Sequence, residues 1–244
     1  MTRARMIRAG VLLAALVGVA AAGVLALSRA AAPEERAAVL PTGEVLSAIR
    51  VSRPSRALSS GEIDLLDRVD ARQDALVPGW GFEGSSLYTS ASPWGRLQLP
   101  CIPPEEYDLR LLVTRKRGID GLDLGIVYGG CQGVVRIDGR QGEASWIDLA
   151  TVRDPASSPT LAPGKRLRWN RPTEILASVR KDRIVVVVDG SLLLRWSGPA
   201  RDLRLEAGLR VPNRSALFVA TAATLFRIDE LAITPVTGTP RFLR

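Results

Sequence analysis

From Trp80 onward the chain reads as short apolar or alternating runs separated by Gly, Pro and Asp-Gly, with no long stretch at helical spacing. The runs are GRLQLP (95–100), EYDLRLLVTRK (106–116), LDLGIVY (122–128), GVVRID (133–138), SWIDLATV (145–152) and RLRW (166–169). They continue as TEILASVRK (173–181), RIVVVVDG (183–190), SLLLRW (191–196), SALFVAT (215–221) and TLFRIDELAITPV (224–236). Many of these residues are β-branched, and alternation suits strands with one buried face. The pattern predicts an all-β sandwich. Its clearest element is a hairpin in which Asp189-Gly190 supplies the positive φ angles of a two-residue turn between RIVVVV and SLLLRW. No segment repeats, which argues against a propeller or solenoid.

Ahead of the sandwich the pattern changes twice. In Gly61–Ala75, Ile63, Leu66 and Val69 fall at helix-like spacing and predict a turn or two of helix. Residues 28–60 mix Pro, Ser, Ala and charge without periodicity, as a linker does. Met1–Ala9 is basic and Gly10–Leu27 carries no charge, the grammar of an export signal. That apolar run just reaches the length needed to cross a bilayer. It is read as a single-pass signal anchor or, if cut, as a signal peptide, and either sends the rest of the chain out of the cytoplasm. The expected organisation is a signal anchor or signal peptide over 1–32, a linker or stalk over 33–60, a β-sandwich over 61–237 and a C-terminal tail over 238–244.

Composition narrows the chemistry. The chain has 33 Lys+Arg against 25 Asp+Glu, a formal charge of +8, and no histidine. Lacking imidazole, it has no Ser-His-Asp or Cys-His nucleophile and no His-ligated metal. Residues 1–32 hold Arg3, Arg5, Arg8 and Arg29 with no acid, which leaves the remainder at +4. The other cations fall in short groups, Arg115-Lys116-Arg117 and Lys165-Arg166 with Arg168 and Arg171, instead of the stripe and module of a nucleic-acid binder. No nucleic-acid partner is expected. In an oxidising compartment Cys101 and Cys131 can form a disulfide, worth about 3 kcal/mol for a loop of roughly 30 residues. Two unconnected small residues fit the sequence equally.

The stretch TEILASVRKDRIVVVVDGSLLLRW (173–196) is similar to a recurrent hairpin of the concanavalin A-like lectin/glucanase superfamily. The wider run from PWGRLQLP to ALFVATAATLFRIDELAITPV resembles exported bacterial jelly rolls of that superfamily. In particular it resembles the laminin-G-like and 3-keto-disaccharide-hydrolase-like jelly rolls of planctomycetes. The resemblance spans about residues 61–237 and implies a concanavalin A-like jelly roll in a bacterial envelope. It does not fix a function, because the superfamily holds lectins, adhesive modules and hydrolases.

Within that frame three sets of residues are candidates. Glu62-Ile63-Asp64-Leu65-Leu66-Asp67 resembles the acidic signature of family 16 glycoside hydrolases, which implies Glu62 as nucleophile, Asp64 as electrostatic helper and Asp67 as acid. Against it, the last position is Asp where the family has Glu. Asp67 also lies five residues from Glu62, so strict alternation puts the two on opposite faces, and the string precedes nearly all the strands. Among the tryptophans, Trp196 alternates with Leu192 and Leu194 and Trp169 with Leu167, so both are expected in the core. Trp94 instead shares its face with Arg96 and Gln98, and Trp146 shares its face with Asp148. These five residues form the expected ligand-binding set, the rings stacking on a sugar and the polar groups bonding its hydroxyls. The alternative is that each tryptophan covers an edge of the sandwich. Asp120, Asp123, Asp138 and Asp189 could ligate calcium, as lectin-like folds often do, although three of them are equally explained by Asp-Gly turns.

Three functions remain on these readings. The first is a non-catalytic exported module that binds a glycan or an envelope protein, attached to the membrane through residues 10–27. The second is a carboxylate-dependent hydrolase using the Glu62 string. The third is a structural envelope module pairing through its β edges.

Overall fold

The computed structural model describes residues 61–244, so the leader and linker over 1–60 lie outside the described residues. The strands in chain order are β1 (Ile63–Asp64), β2 (Gly81–Glu83), β3 (Ser86–Tyr88), β4 (Gly95–Gln98), β5 (Cys101–Ile102), β6 (Glu106–Arg117), β7 (Leu122–Tyr128) and β8 (Cys131–Asp138). They continue with β9 (Ala144–Ile147), β10 (Ala162–Pro163), β11 (Pro172–Val179), β12 (Ile184–Val188), β13 (Ser191–Trp196), β14 (Phe218–Thr221), β15 (Leu225–Thr237) and β16 (Arg241–Phe242). One sheet runs β13-β12-β11-β6-β15-β3-β2, with β1 beside β15, and the other runs β10-β9-β8-β7-β14-β4. Every strand pair is antiparallel, and the two sheets form a jelly-roll-like sandwich.

Alternation decides which side chains meet between the sheets. In the eight-stranded sheet the register aligns Val188, Ile175, Leu111 and Leu231 in one row and Val186, Ala177, Leu109 and Ile233 in the next. In the six-stranded sheet Ile147, Val135, Leu124, Val219 and Leu97 form the facing row. All of these are buried in one continuous core. Removing this much apolar surface from water is the main stabilising term. Tyr107 joins the layers, its hydroxyl donating to the Val127 carbonyl at 3.1 Å and accepting from the Val127 N–H at 3.0 Å.

Several expectations change in three dimensions. RLRW (166–169) forms no strand: Leu167 is buried, but Trp169 is 44% exposed in a loop and not in the core. A bulge in β13 at Leu193, opposite Val186 and Val187 of β12, turns Leu192 outward while Leu193 and Leu194 both go inward, so the simple alternation with Trp196 does not extend to Leu192. The 238–244 tail is tied down: β16 pairs with β5, Arg68 lies 3.8 Å over the Phe242 ring, and the Arg244 guanidinium pairs with Asp74. The Cys101–Cys131 bridge is absent and both thiols are free. Cys101 lies on β5, paired with β16, and Cys131 opens β8 of the six-stranded sheet. Burial pushes the Cys101 thiol up to about 12, which keeps it protonated.

Gly125, central in β7, is fixed by space. A Cβ there would lie 1.9 Å from a ring carbon of Phe218 on the neighbouring strand. Gly125→Ala is expected to destabilise the domain by about 1–3 kcal/mol. The check is the urea midpoint, and an unchanged midpoint would show that Phe218 has room to move.

Candidate functional site

The outward face of the six-stranded sheet is where the sequence places its ligand set. Register aligns Trp146 (β9), Arg136 (β8), Asp123 (β7), Ala220 (β14) and Arg96 (β4) across that face. Val134, Gly125, Phe218 and Gln98 form the next row. Most of this face is covered by the chain itself. Leu209 and Val211 bury themselves with Val134, Phe218 and Ala220 in a second small core, supported by Leu76 and Leu205. The covering segment is fastened at one end by Arg204 N–H to the Asp148 carbonyl (2.9 Å). At the other end Asn213 N–H bonds to Gln98 Oε1 (2.7 Å) and Arg96 Nε to the Arg210 carbonyl (3.0 Å).

Under one edge of that cover lies an ionic cluster. Arg136 meets Asp123, Asp148 and Glu206, each at 3.0 Å, and Trp146 Nε1 donates to Asp148 Oδ1 at 2.6 Å. Burial works against the charge on Arg136, but the three carboxylates outweigh it and raise its pKa. Burial pushes Asp123 up to about 7, Arg136 partly opposes this, and Asp148 and Glu206 reinforce it. Trp146 is only 5% exposed, its ring packed so closely on Gly139 that a Cβ there would lie 2.5 Å away. Trp146 and Asp148 are therefore corrected from ligand contacts to buried parts of the cluster. The segment that returns from β13 packs beside them through the Arg204 N–H bond to the Asp148 carbonyl and the Glu206 contact with Arg136. What stays open beside them is a small groove of about 60 Å³, lined by Trp146, Asp148, Val152, Arg153, Arg204 and Glu206.

Trp94 differs. It sits just before β4 in a turn closed by Gly95 N–H to the Ser92 carbonyl (3.2 Å), with φ at +58°. A bulky residue in the left-handed region is a costly conformation that its surroundings must enforce. Its ring rests on Gly208, where a Cβ would be 3.1 Å from the ring, and the side chain is 48% exposed. One face is braced and much of the remainder is open to a ligand. Arg96 Nη1 bonds back to the Trp94 carbonyl at 3.3 Å, and Gln98 lies two residues further along the strand. Trp94, Arg96 and Gln98 are thus brought together. Trp146 and Asp148 are not part of that group, since four strand spacings, roughly 19 Å, separate β4 from β9.

The acidic string does not assemble a hydrolytic site. Asp64 Oδ1 accepts from Leu66 N–H at 2.8 Å, and Asp67 lies on a 3-10 turn beyond the strand. Glu62 is ion-paired with Arg110 at 2.6 Å on the outward side of the other sheet. The four aspartates considered for calcium are dispersed. Asp123 and Asp138 pair with Arg136 and Arg115, Asp120 accepts from Gln141 N–H, and Asp189 accepts from Glu174 N–H. Among the described residues no three His, Cys, Asp or Glu side chains converge as a metal site.

No family model matches this chain, and no curated protein matches it in sequence. Solved structures are similar at low identity. The exoplasmic/lumenal domain of VIP36, in a Ca2+/Man3GlcNAc-bound form, is 10% identical, with a TM-score of 0.49 over 73% of this chain and 90% of that one. A carbohydrate-binding module, CBM66 from Bacillus subtilis, is 7% identical, with a TM-score of 0.46 over 66% and 93%. A putative glycosyl hydrolase from Parabacteroides distasonis is 8% identical, with a TM-score of 0.44 over 66% and 85%.

Proposed function

We propose that this protein is an exported, non-catalytic carbohydrate-binding module of a bacterial envelope, attached through residues 10–27, with Trp94 as its stacking platform. The observation that carries this reading is the Trp94 ring, braced on Gly208 and held open at a left-handed backbone position. Aromatic faces bind the C–H faces of sugar rings, and a ring already fixed in place loses little entropy when it binds. Arg96, whose Nη1 bonds to the Trp94 carbonyl, and Gln98 further along β4 are the polar groups that would orient hydroxyls.

The test is a glycan array probed with the full chain, followed by titration of the best ligand. Trp94→Ala is expected to weaken that ligand about tenfold or more, while Trp94→Phe retains part of the affinity. A blank array, or an unchanged affinity in Trp94→Ala, would overturn the reading. The attachment has its own check: protease added to intact spheroplasts is expected to digest the sandwich, and full protection would refute export.

A further inference from the structure

One end of the sandwich gathers the cationic groups noted in the sequence. There the β6–β7 loop, the turn Gly139–Gly142 after β8 and the loop from Gly164 to Arg171 meet, and a buried ion pair ties them together. The Arg115 guanidinium donates to the carbonyls of Leu167 (3.0 Å), Gly118 (3.3 Å) and Asp120, and to Asp138 Oδ2 (3.2 Å). Asp138 accepts in turn from the backbone N–H groups of Arg166 and Leu167, both at 2.7 Å. Asn170 N–H bonds to the Arg115 carbonyl at 3.0 Å, and Lys116 Nζ to Asn170 Oδ1 at 2.7 Å. Arg140 and Gln141 are held at left-handed φ values of +53° and +62°.

This scaffold projects Arg117, Arg140, Lys165, Arg166, Arg168 and Arg171 into solvent around Trp169, which is 44% exposed. Among the described residues only Arg140 of these six meets a carboxylate, Asp154, at 3.9 Å. Like charges gathered at one end repel one another, and with only Arg140 of the six ion-paired among the described residues this end suits an anion. Guanidinium groups also match carboxylate and sulfate geometry in pairs of hydrogen bonds.

We propose that this end is a second binding site, for an acidic polysaccharide, in which the arginines hold the anionic groups and Trp169 stacks on a ring between them. An exposed indole among the arginines favours a polymer with ring faces to stack on over a bare anionic surface. Leu225 of β15 lies beside Arg117, whereas β1 joins β15 at Ile233, eight residues or roughly 26 Å along the strand. β1, the first described strand, therefore joins the sandwich far from these loops. The site does not depend on the Trp94 reading.

The experiment is binding of the full chain to polygalacturonate, with neutral dextran, phosphatidylglycerol vesicles and duplex DNA as parallel probes over a salt series. Polygalacturonate is expected to bind more tightly than the other three, with affinity falling as salt rises. Arg168→Ala/Arg171→Ala is expected to weaken it about tenfold or more, with Arg168→Lys/Arg171→Lys intermediate, and Trp169→Ala is expected to weaken it severalfold at unchanged salt dependence. These variants keep every basic residue of the leader, so a loss assigns the binding to this end, and matching thermal melts confirm that they fold. Equal binding of dextran, tighter binding of vesicles or DNA, or wild-type affinity in the double alanine or the Trp169→Ala variant would each overturn the proposal. A loss in Trp94→Ala on the glycan array with polygalacturonate binding intact separates the two sites.

Discussion

Replacing Arg115 by leucine is expected to destabilise the domain by about 3–5 kcal/mol, the cost of leaving a buried charge without its partner. Arg115 and Asp138 are fully buried side chains that meet at 3.2 Å. Burial pulls the Arg115 pKa down, with Asp138 opposing the shift. The guanidinium also lies 5.1 Å from the Phe226 ring centre and bonds to three loop carbonyls. Leucine fills much of the volume but leaves Asp138 and those carbonyls short of donors. Urea unfolding measures the loss, with Asp138→Asn as a milder companion because it keeps shape and one acceptor. A loss below about 1 kcal/mol in Arg115→Leu would mean that water replaces the guanidinium, and that the three loops do not depend on it.

The second large effect is on pH. Asp123 is pushed up to about 7 in the folded chain against an ordinary 3.8. Between those values the folded protein keeps a proton that the unfolded chain has released, so the unfolded state binds fewer protons. Stability from this group therefore falls as pH rises through that window, and levels off above about 7. The full span corresponds to something on the order of 4 kcal/mol. Asp123→Asn imitates the protonated form at every pH. Its stability relative to the parent chain is expected to improve steadily from pH ~4.5 to ~7.5 in urea titrations, as the linkage requires. A gap between the two that does not change with pH would show that Arg136 holds Asp123 ionised throughout.

The two predictions fall at places that the sequence signalled unequally. Arg115-Lys116-Arg117 and Lys165-Arg166 with Arg168 and Arg171 were visible as cationic groups, but nothing local shows what Arg115 meets when it points inward. Alternation along β6 runs Val113 in and Thr114 out, so Arg115 falls on the inner face by strand parity alone. Only the return of the 164–171 loop, closed by Asp138 at the end of β8, provides it with a carboxylate. Trp169 misled for a related reason: its alternation with Leu167 imitates a strand, yet the segment is a loop that meets β6 through a single bridge at Arg115, which leaves the ring 44% exposed.

The outward face of the six-stranded sheet shows the same division. By itself the sequence determined most of the strands, their inward rows and the all-β sandwich, because these depend on a two-residue period that is local to each strand. The tertiary structure alone decided that Leu209 and Val211 cover that face, that Trp146 and Asp148 are buried beneath it, that Cys101 and Cys131 belong to different sheets, and that three cationic loops converge at one end. Those outcomes depend on residues tens of positions apart meeting in space. The energy that fixes such meetings comes from burial and pairing between segments, which leave no periodic trace in either one.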